Sequence, residues 1–348
     1  MRRGTRTGGG CERQARRGCF CRALLAIIAV APTAACSAGA PATASSPKAP
    51  KVMQMPAALV RGNYRIEASG VAWAPSLDRF LVVSDDTMNG ANKHLPAVFG
   101  MSPQGALDST PIAILGVTEL NDAESICAGP DGTFFLTTSH SLNTKGKSNA
   151  SRRMLLHLSL KGRELRVEGR PLDLTTATDA DGRGLLGIAG LDPAGSLDIE
   201  GLTWSHGALY IGLKSPLTAR GSAVILRFDH PLDAFQSGII PSGAISRFRE
   251  VALPVGHGGG SIHRGVAELL FLPDGSLIVL ANAPKGLPVD NGGGVFWLRP
   301  GATSATMLRE FPGFKPEGVA LSKDGHDLVV VFDTGNDPPR WTQMPLPH

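Results

Sequence analysis

The sequence predicts an all-β propeller of five blades, with six as the alternative, its ring closed by strands from the N- and C-terminal ends. Two observations predict it. One phrase recurs five times between residues 67 and 335: a small or acidic pair, a short apolar run, a tight polar turn, a second apolar run and a polar cluster. The stretches between phrases hold about two further strands each, and four antiparallel strands per unit make a propeller blade. Composition agrees, since 348 residues with 43 Gly, 26 Pro and only 18% charged suit many short strands and turns.

The chain begins with a leader. Seven arginines between Arg2 and Arg22 precede the apolar run Ala23 to Val30 and the small residues Thr33-Ala34-Ala35 before Cys36. That order is the order of an export signal. Small residues before a cysteine resemble the bacterial lipoprotein cleavage box, with Thr33 where Leu is usual, so residues 1–36 are expected to be a signal peptide and Cys36 its lipidation site, with plain secretion as the alternative. The apolar run is too short to span a bilayer, which needs roughly 20 residues, so membrane contact would be through the lipid anchor alone. Residues 37–55, rich in Ala, Ser, Pro and Thr, read as a flexible linker, and 56–348 as the propeller domain. The net charge of +4 comes from the leader; the remainder is near neutral and offers no basic patch for nucleic acid.

The five phrases occur in this order. Ser69-Gly70-Val71-Ala72-Trp73 leads to Phe80 through Asp86, and Glu124-Ser125-Ile126-Cys127 leads through Pro130-Asp131-Gly132 to Phe135 through His140. Glu200-Gly201-Leu202-Thr203-Trp204 leads to Leu209 through Lys214, Val266-Ala267-Glu268-Leu269-Leu270 to Leu277 through Asn282, and Glu317-Gly318-Val319-Ala320-Leu321 to Leu328 through Asp333. Apolar runs on either side of a tight turn, Asp-Gly in the second, fourth and fifth phrases, make each phrase a hairpin. After the fifth phrase only Trp341 to Leu346 remains, so Ala57 to Ile66 is expected to complete the last blade. The stretch Asp173 to Asp198 reads as an insertion loop. Cys127 is the one cysteine of the predicted mature domain, at an apolar strand position, which reads as a small buried hydrophobe and leaves no partner for a disulfide within that domain.

The first strand of a blade lines the channel and the second runs back, so strand starts and strand ends share one rim. This gathers Ser69, Glu124, Glu200, Glu268 and Glu317 with Asp85, Asp86, His140, Lys214, Asn282 and Asp333. Loops beyond the strand ends add Lys145, Lys147, Arg152, Arg153 and Arg220. Glu124, Glu200, Glu317, Asp333 and Asp85 are hard oxygen donors suited to Ca²⁺ or Mg²⁺. Lys145, Lys147, Arg152 and Arg220 suit a phosphate or carboxylate, with His140 as acid or base and Lys214 orienting the anion. The competing structural reading is that acids at strand starts bind backbone amides and fix the ring.

Other motifs fail. Gly258-Gly259-Gly260 reads as a link between blades, and Asp179-Ala180-Asp181-Gly182 lacks the remaining ligands of an EF-hand, with Ala177 and Ile188 where acids are needed. Gly146-Lys147-Ser148 lacks the first glycine of a P-loop. No Gly-x-Ser-x-Gly elbow and no His-Glu-x-x-His occurs.

Asp198-Ile199-Glu200-Gly201-Leu202, Ile211 through Pro216, Ser139-His140-Ser141 with the Lys145-Gly146-Lys147 loop, and Lys315 through Val319 resemble an uncharacterised bacterial β-propeller family over roughly residues 65–335. More loosely, they resemble the esterase-like phytase propellers. The resemblance implies an exported or envelope propeller. Ala267 and Lys214 depart from the pattern, where a basic residue and an Arg are usual. The expected function is metal-assisted hydrolysis of phosphate or carboxylic esters. A non-catalytic envelope module binding a small anion or a protein, and a purely structural propeller, are the alternatives.

Overall fold

The computed structural model describes residues 49–347 apart from 91–92, 144, 258–259, 284–291 and 336. The leader, Cys36, most of the expected linker and two glycines of the Gly258-Gly259-Gly260 run therefore lie outside the described residues. The described chain belongs to the unit Lys48–His348.

The strands run in chain order. A two-residue strand β1 (Lys51–Val52) and a short helix α1 (Ala57–Arg61) precede the first phrase. The first four-stranded group is β2 (Ala68–Ala74), β3 (Arg79–Ser84), β4 (Ala97–Met101) and β5 (Ile112–Leu115). The second is β6 (Ala123–Ala128), β7 (Thr133–Thr138), β8 (Leu155–Lys161) and β9 (Glu164–Val167). After helix α2 (Leu185–Ile188) come β10 (Asp198–Ser205), β11 (Ala208–Ser215) and β12 (Ala223–Asp229), then α3 (Pro231–Ser237) and β13 (Ile245–Val251). A hairpin β14 (Pro254–His257) and β15 (Gly260–His263) leads into β16 (Gly265–Phe271), β17 (Leu277–Asn282), β18 (Gly293–Leu298) and β19 (Thr306–Phe311). The last group is β20 (Lys315–Leu321), β21 (Asp327–Asp333) and β22 (Arg340–Pro345), with β1 hydrogen-bonded outside β22.

Each phrase is thus the inner hairpin of a four-stranded group. The first and second groups merge into one eight-stranded sheet, because their outer strands β5 and β9 pair in parallel. Inner strands pack in a cycle: β20 on β2, β2 on β6, β6 on β10, β10 on β16, and β16 back on β20. The apolar core lies between consecutive groups. Phe80, Phe99 and Val71 pack with Val329, Val331 and Trp341 to join the last group to the first, while Val295 and Phe311 pack with Val330 and Phe332 to join the fourth to the last. Sheets arranged radially about an axis and closed in this way are a β-propeller.

Two expectations change. The strand that closes the ring is β1, where Lys51 pairs with Trp341 and Val52 with Arg340, and the Met53 amide donates to the Pro339 carbonyl at 2.8 Å. Residues 57–66 instead form α1 and a turn, whose Leu59 and Ile66 are buried in the cluster between the last and first groups. The folded domain therefore begins before residue 56, and Lys51–Val52, expected within the linker over 37–55, belong to the fold as β1. Residues 173–198 also do more than loop: Leu174, Ala177, Leu185, Ala189 and Leu191 are buried against the third group.

Every inner strand carries a β-bulge at the same place. The register shifts fall between Ala68 and Gly70, Ala123 and Ser125, Ile199 and Gly201, Val266 and Glu268, and Pro316 and Gly318. The extra residues are Ser69, Glu124, Glu200, Ala267 and Glu317. A bulge re-aims a side chain, and here it turns one residue per inner strand to the same level of the ring. Immediately after it the strands close in. A Cβ on Gly70 would sit 2.8 Å from Ser125 Cα, and one on Gly318 would sit 2.8 Å from Gly70 Cα. Glycine follows the bulge residue in three phrases because only glycine lets neighbouring inner strands approach so closely.

Candidate functional site

The bulge residues and the residues two positions before them form dyads: Glu67/Ser69, Asp122/Glu124, Asp198/Glu200, Gly265/Ala267 and Lys315/Glu317. Four of the five are charged. Above the glycine level they enclose a chamber of about 50 Å³ lined by the carboxylates of Glu67, Asp85, Glu124, Glu200, Glu317 and Asp333, with Ser69 and Lys315. All five of the expected metal-ligand positions, Glu124, Glu200, Glu317, Asp333 and Asp85, thus lie around one space, and Lys214 reaches two of them.

The chamber has two electrostatic halves. On one side Lys214, buried with a side chain only 2% exposed, pairs with Glu200 and stands 3.6 Å from Glu317 Oε1. Lys315 pairs with Glu317 and with Asp333 Oδ2 at 2.9 Å, and Asp333 Oδ1 accepts from the Gly335 amide at 2.7 Å. Burial, the largest single influence, would lower the Lys214 ammonium, but the carboxylates of Glu200, Glu317 and Asp198 together outweigh it and hold its pKa up. Burial would raise Asp333, yet Lys315 and the Gly335 amide bring it below its usual range. Glu317 is pushed up to about 7 because its burial exceeds what Lys315 and Lys214 return. Glu67, at the chamber's edge, is raised to about 7 by burial, which Arg65 only partly offsets.

The other half holds carboxylates. Oxygens of Glu124, Asp198 and Glu200 all lie within 4.8 Å of one another, and all three residues are buried. Burial first, then the carboxylates of Glu200, Asp122, Asp85 and Asp198, push Glu124 well above its ordinary value. Asp85 is pushed the same way by burial and by Asp122. Glu200 Oε1 is taken by Lys214, while its Oε2 is buried without a hydrogen-bond partner. Three converging carboxylates, one with a buried oxygen that has no hydrogen-bond partner, are a donor set of hard oxygens. They fit Ca²⁺ or Mg²⁺, which take such ligands and retain waters.

The remaining candidates sit elsewhere. Arg152 is tied to Asp122 and donates to Ser141 Oγ at 2.9 Å and Asn121 Oδ1 at 3.1 Å, so it is an internal strut. Arg153 faces Asp173 at 3.8 Å. Lys145 and Lys147 lie exposed on a loop whose backbone amides donate to Asn143 Oδ1. Arg220 is on the surface with Glu250 at 3.1 Å. None of the four expected anion-binding residues, Lys145, Lys147, Arg152 and Arg220, lines the chamber. Asp86 is not among the residues that line the chamber and faces Lys93 at 3.1 Å and His94 at 3.4 Å. Asn282 donates to the Pro316 carbonyl at 2.7 Å and so joins the fourth group to the last.

His140 is also outside the chamber. It lines a separate cavity of about 430 Å³ with Arg153, Leu185, Leu186 and Leu197. Its Nδ1 is 2.8 Å from the Thr138 carbonyl, its φ is +55°, and burial lowers its pKa to about 4. A neutral, buried imidazole bonded to backbone is a structural group. Glu268 departs for a different reason. The bulge in β16 falls on Ala267, so Glu268 lies one step beyond the ring of bulge residues, between the inner strands. Burial raises its pKa against the amides of Leu202 and Leu269 and the Ser125 hydroxyl.

The strand-start pattern does not single out Glu67, Asp122, Asp198 or Lys315 as site residues. Their signal is a charged residue two before the bulge residue, which is an acid after Asp122, Asp198 and Lys315 and Ser69 after Glu67, since alternate residues of a strand share a face.

The family described as Phytase-like, with esterase-like activity of phytase, matches residues 67–293. Comparison with curated proteins gave no match. Among solved structures, a gluconolactonase of Xanthomonas campestris is 12% identical, with 87% of this chain and 96% of that chain covered and a TM-score of 0.37. A periplasmic gluconolactonase of Pseudomonas aeruginosa is 13% identical over 80% of this chain and 89% of its own, with a TM-score of 0.40. A glutaminyl cyclase of Myxococcus xanthus is 12% identical over 86% and 98%, with a TM-score of 0.42.

Proposed function

We propose, because this chain belongs to the Phytase-like family of proteins with esterase-like activity of phytase, that the acidic chamber is the hydrolytic centre of a divalent-cation-dependent ester hydrolase. The family supports a propeller of hydrolase type. Support for the metal comes from the convergence of Glu124, Asp198 and Glu200 within 4.8 Å beside an unpaired Glu200 oxygen. A divalent cation held there would polarise a carbonyl or phosphoryl oxygen and acidify a bound water.

The protein's own groups complete the arrangement. Lys214 and Lys315 hold Glu200, Glu317 and Asp333 in place and keep positive charge on one wall, which favours an oxyanion forming beside it. At 50 Å³ the chamber has room for an ion and little else, so the ester must lie across its mouth. There Lys315, with a side chain 30% exposed, can reach the substrate, and Glu67 is placed to exchange a proton with it. The expected export and lipid anchor at Cys36 belong to the same reading. Mass spectrometry of envelope fractions from the wild type and Cys36→Ser tests them, and an unprocessed N-terminus refutes them.

The test of the activity is hydrolysis of p-nitrophenyl acetate and p-nitrophenyl phosphate by the purified domain, with chelator and after adding back Ca²⁺ or Mg²⁺. Hydrolysis that chelator abolishes, that either ion restores and that Glu124→Gln lacks is the expected result. Hydrolysis indifferent to chelator and to Glu124→Gln would overturn the reading.

A further inference from the structure

We propose that Glu268 is a positioning residue for the cation site, a tie across the ring that fixes the separation of Glu124 and Glu200. The inference rests on the reading of the chamber as a cation site.

Glu268 comes from the one inner strand that contributes no charged dyad. Its neighbours at the same level in the other phrases are Gly70, Ser125, Gly201 and Gly318, so it is the one long side chain where the ring is narrowest. It is 1% exposed. Its Oε1 accepts from Ser125 Oγ at 2.8 Å, from the Leu202 amide at 3.0 Å and from the Leu269 amide at 2.9 Å. Its Oε2 lies 2.7 Å from Ser125 Oγ. Ser125 directly follows Glu124 on β6, and Leu202 stands two residues after Glu200 on β10.

The ring order makes these contacts informative. β16 packs on β10 and β20, whereas β6 packs on β2 and β10. The bond from Glu268 to Ser125 therefore spans the channel between strands that do not adjoin, while the bond to Leu202 holds the strand between them. One carboxylate fixes the two strands that carry the cation's ligands. Packing between adjacent groups resists shear along an interface, but a bond across the axis resists widening of the ring, which would separate Glu124 from Glu200.

Every one of these bonds can be made by a neutral amide. Glutamine would present its carbonyl oxygen where Oε1 accepts and its NH₂ to Ser125 Oγ. Alanine would make none. Changes to groups that orient metal ligands typically cost 10–100-fold in metal affinity.

The experiment is calorimetric titration of the purified domain with Ca²⁺ alone, comparing wild type, Glu268→Ala, Glu268→Gln and Ser125→Ala. The core variant Val279→Ala, buried on β17 away from the chamber, controls for general destabilisation. A loss of about tenfold or more in Glu268→Ala, a smaller loss in Ser125→Ala, and retention in Glu268→Gln and Val279→Ala are the expected pattern. Wild-type affinity in Glu268→Ala, or a loss in Val279→Ala equal to that in Glu268→Ala, overturns the inference. Should Glu268→Ala not fold, Ser125→Ala decides, since it removes only the cross-ring bond; unchanged affinity there is equally fatal. A wild type that binds neither Ca²⁺ nor, in a parallel titration, Mg²⁺ refutes the cation reading itself, a result distinct from either of these.

Discussion

Glu124→Gln is the substitution that separates a cation site from a merely acidic pocket. Glu200 is a poor choice, because its Oε1 holds Lys214 and neutralising it would strand a buried ammonium. The charges that act most on Glu124 are all carboxylates, so a neutral amide there relieves repulsion and orphans nothing. Without added ion, the variant should melt no lower than the wild type. With ion the order changes. A ligand at 100 times its dissociation constant stabilises by about 2.7 kcal/mol. For a folded unit of about 300 residues, an unfolding entropy of roughly 2.1 cal/mol/K per residue gives about 0.6 kcal/mol per degree. The wild type should therefore gain about 4 °C on saturation with Ca²⁺ and lose it to chelator, while Glu124→Gln gains little. Differential scanning fluorimetry with and without chelator measures both. A wild type whose melting ignores the ion, or a variant that shifts as much as the wild type, would refute the reasoning.

The same geometry sets three further outcomes. Lys214→Met leaves Glu200 without its buried partner, and breaking one side of a buried pair costs about 3–5 kcal/mol, to be read from urea unfolding. Starting the chain at residue 54 instead of 49 removes β1 and the 1% exposed Met53, so the shorter protein should lose about 2–5 kcal/mol and expose the edge of β22. His140 carries the acid limb: its folded pKa of about 4 lies below the ordinary 6.5, so below pH 6.5 the unfolded chain binds a proton that the native state refuses. Stability should fall by roughly 3 kcal/mol between pH 6.5 and 4 on this group's account. His140→Asn, which tolerates the positive φ, should flatten that slope in unfolding measured across the window; an unchanged slope would reassign it.

The inner hairpins were legible because their signals are local. An apolar run, an Asp-Gly turn and a second apolar run specify β16–β17 or β20–β21 without reference to the rest of the chain. The bulge is not local in that sense, since an extra residue on one strand is defined only against its partner. That is why Glu268 grouped with Glu124 and Glu200 on the sequence, although the ring position belongs to Ala267. The cations failed for a related reason. Lys145, Arg152 and Arg220 follow strand ends in sequence, but whether a long side chain turns to the axis or to a nearby acid depends on residues such as Asp122 and Glu250, about 30 positions from Arg152 and Arg220. Residues 57–66 were ambiguous by composition: Leu59 and Ile66 supply apolar positions to a strand or to a helix, and Pro56 before Ala57 suits a helix start.

The asymmetry of the ring explains why the chamber has an acidic and a basic half. A side chain on Gly265 would overlap the backbone of Lys214, so the fourth inner strand must be glycine where the others carry Glu67, Asp122, Asp198 and Lys315. By giving up its dyad it lets the third group bring Lys214 inward, to a position between Glu200 and Glu317. That cation, with Lys315 on the same side, pairs with the acids Glu200, Glu317 and Asp333 and leaves Glu124 among carboxylates. A ring of five equal acidic strands would have no reason to hold a cation at one point rather than another. With Ala267 and Gly265 on one strand and lysines on either side of it, the carboxylates that crowd one another are those around Glu124, which is where the proposed divalent ion would sit.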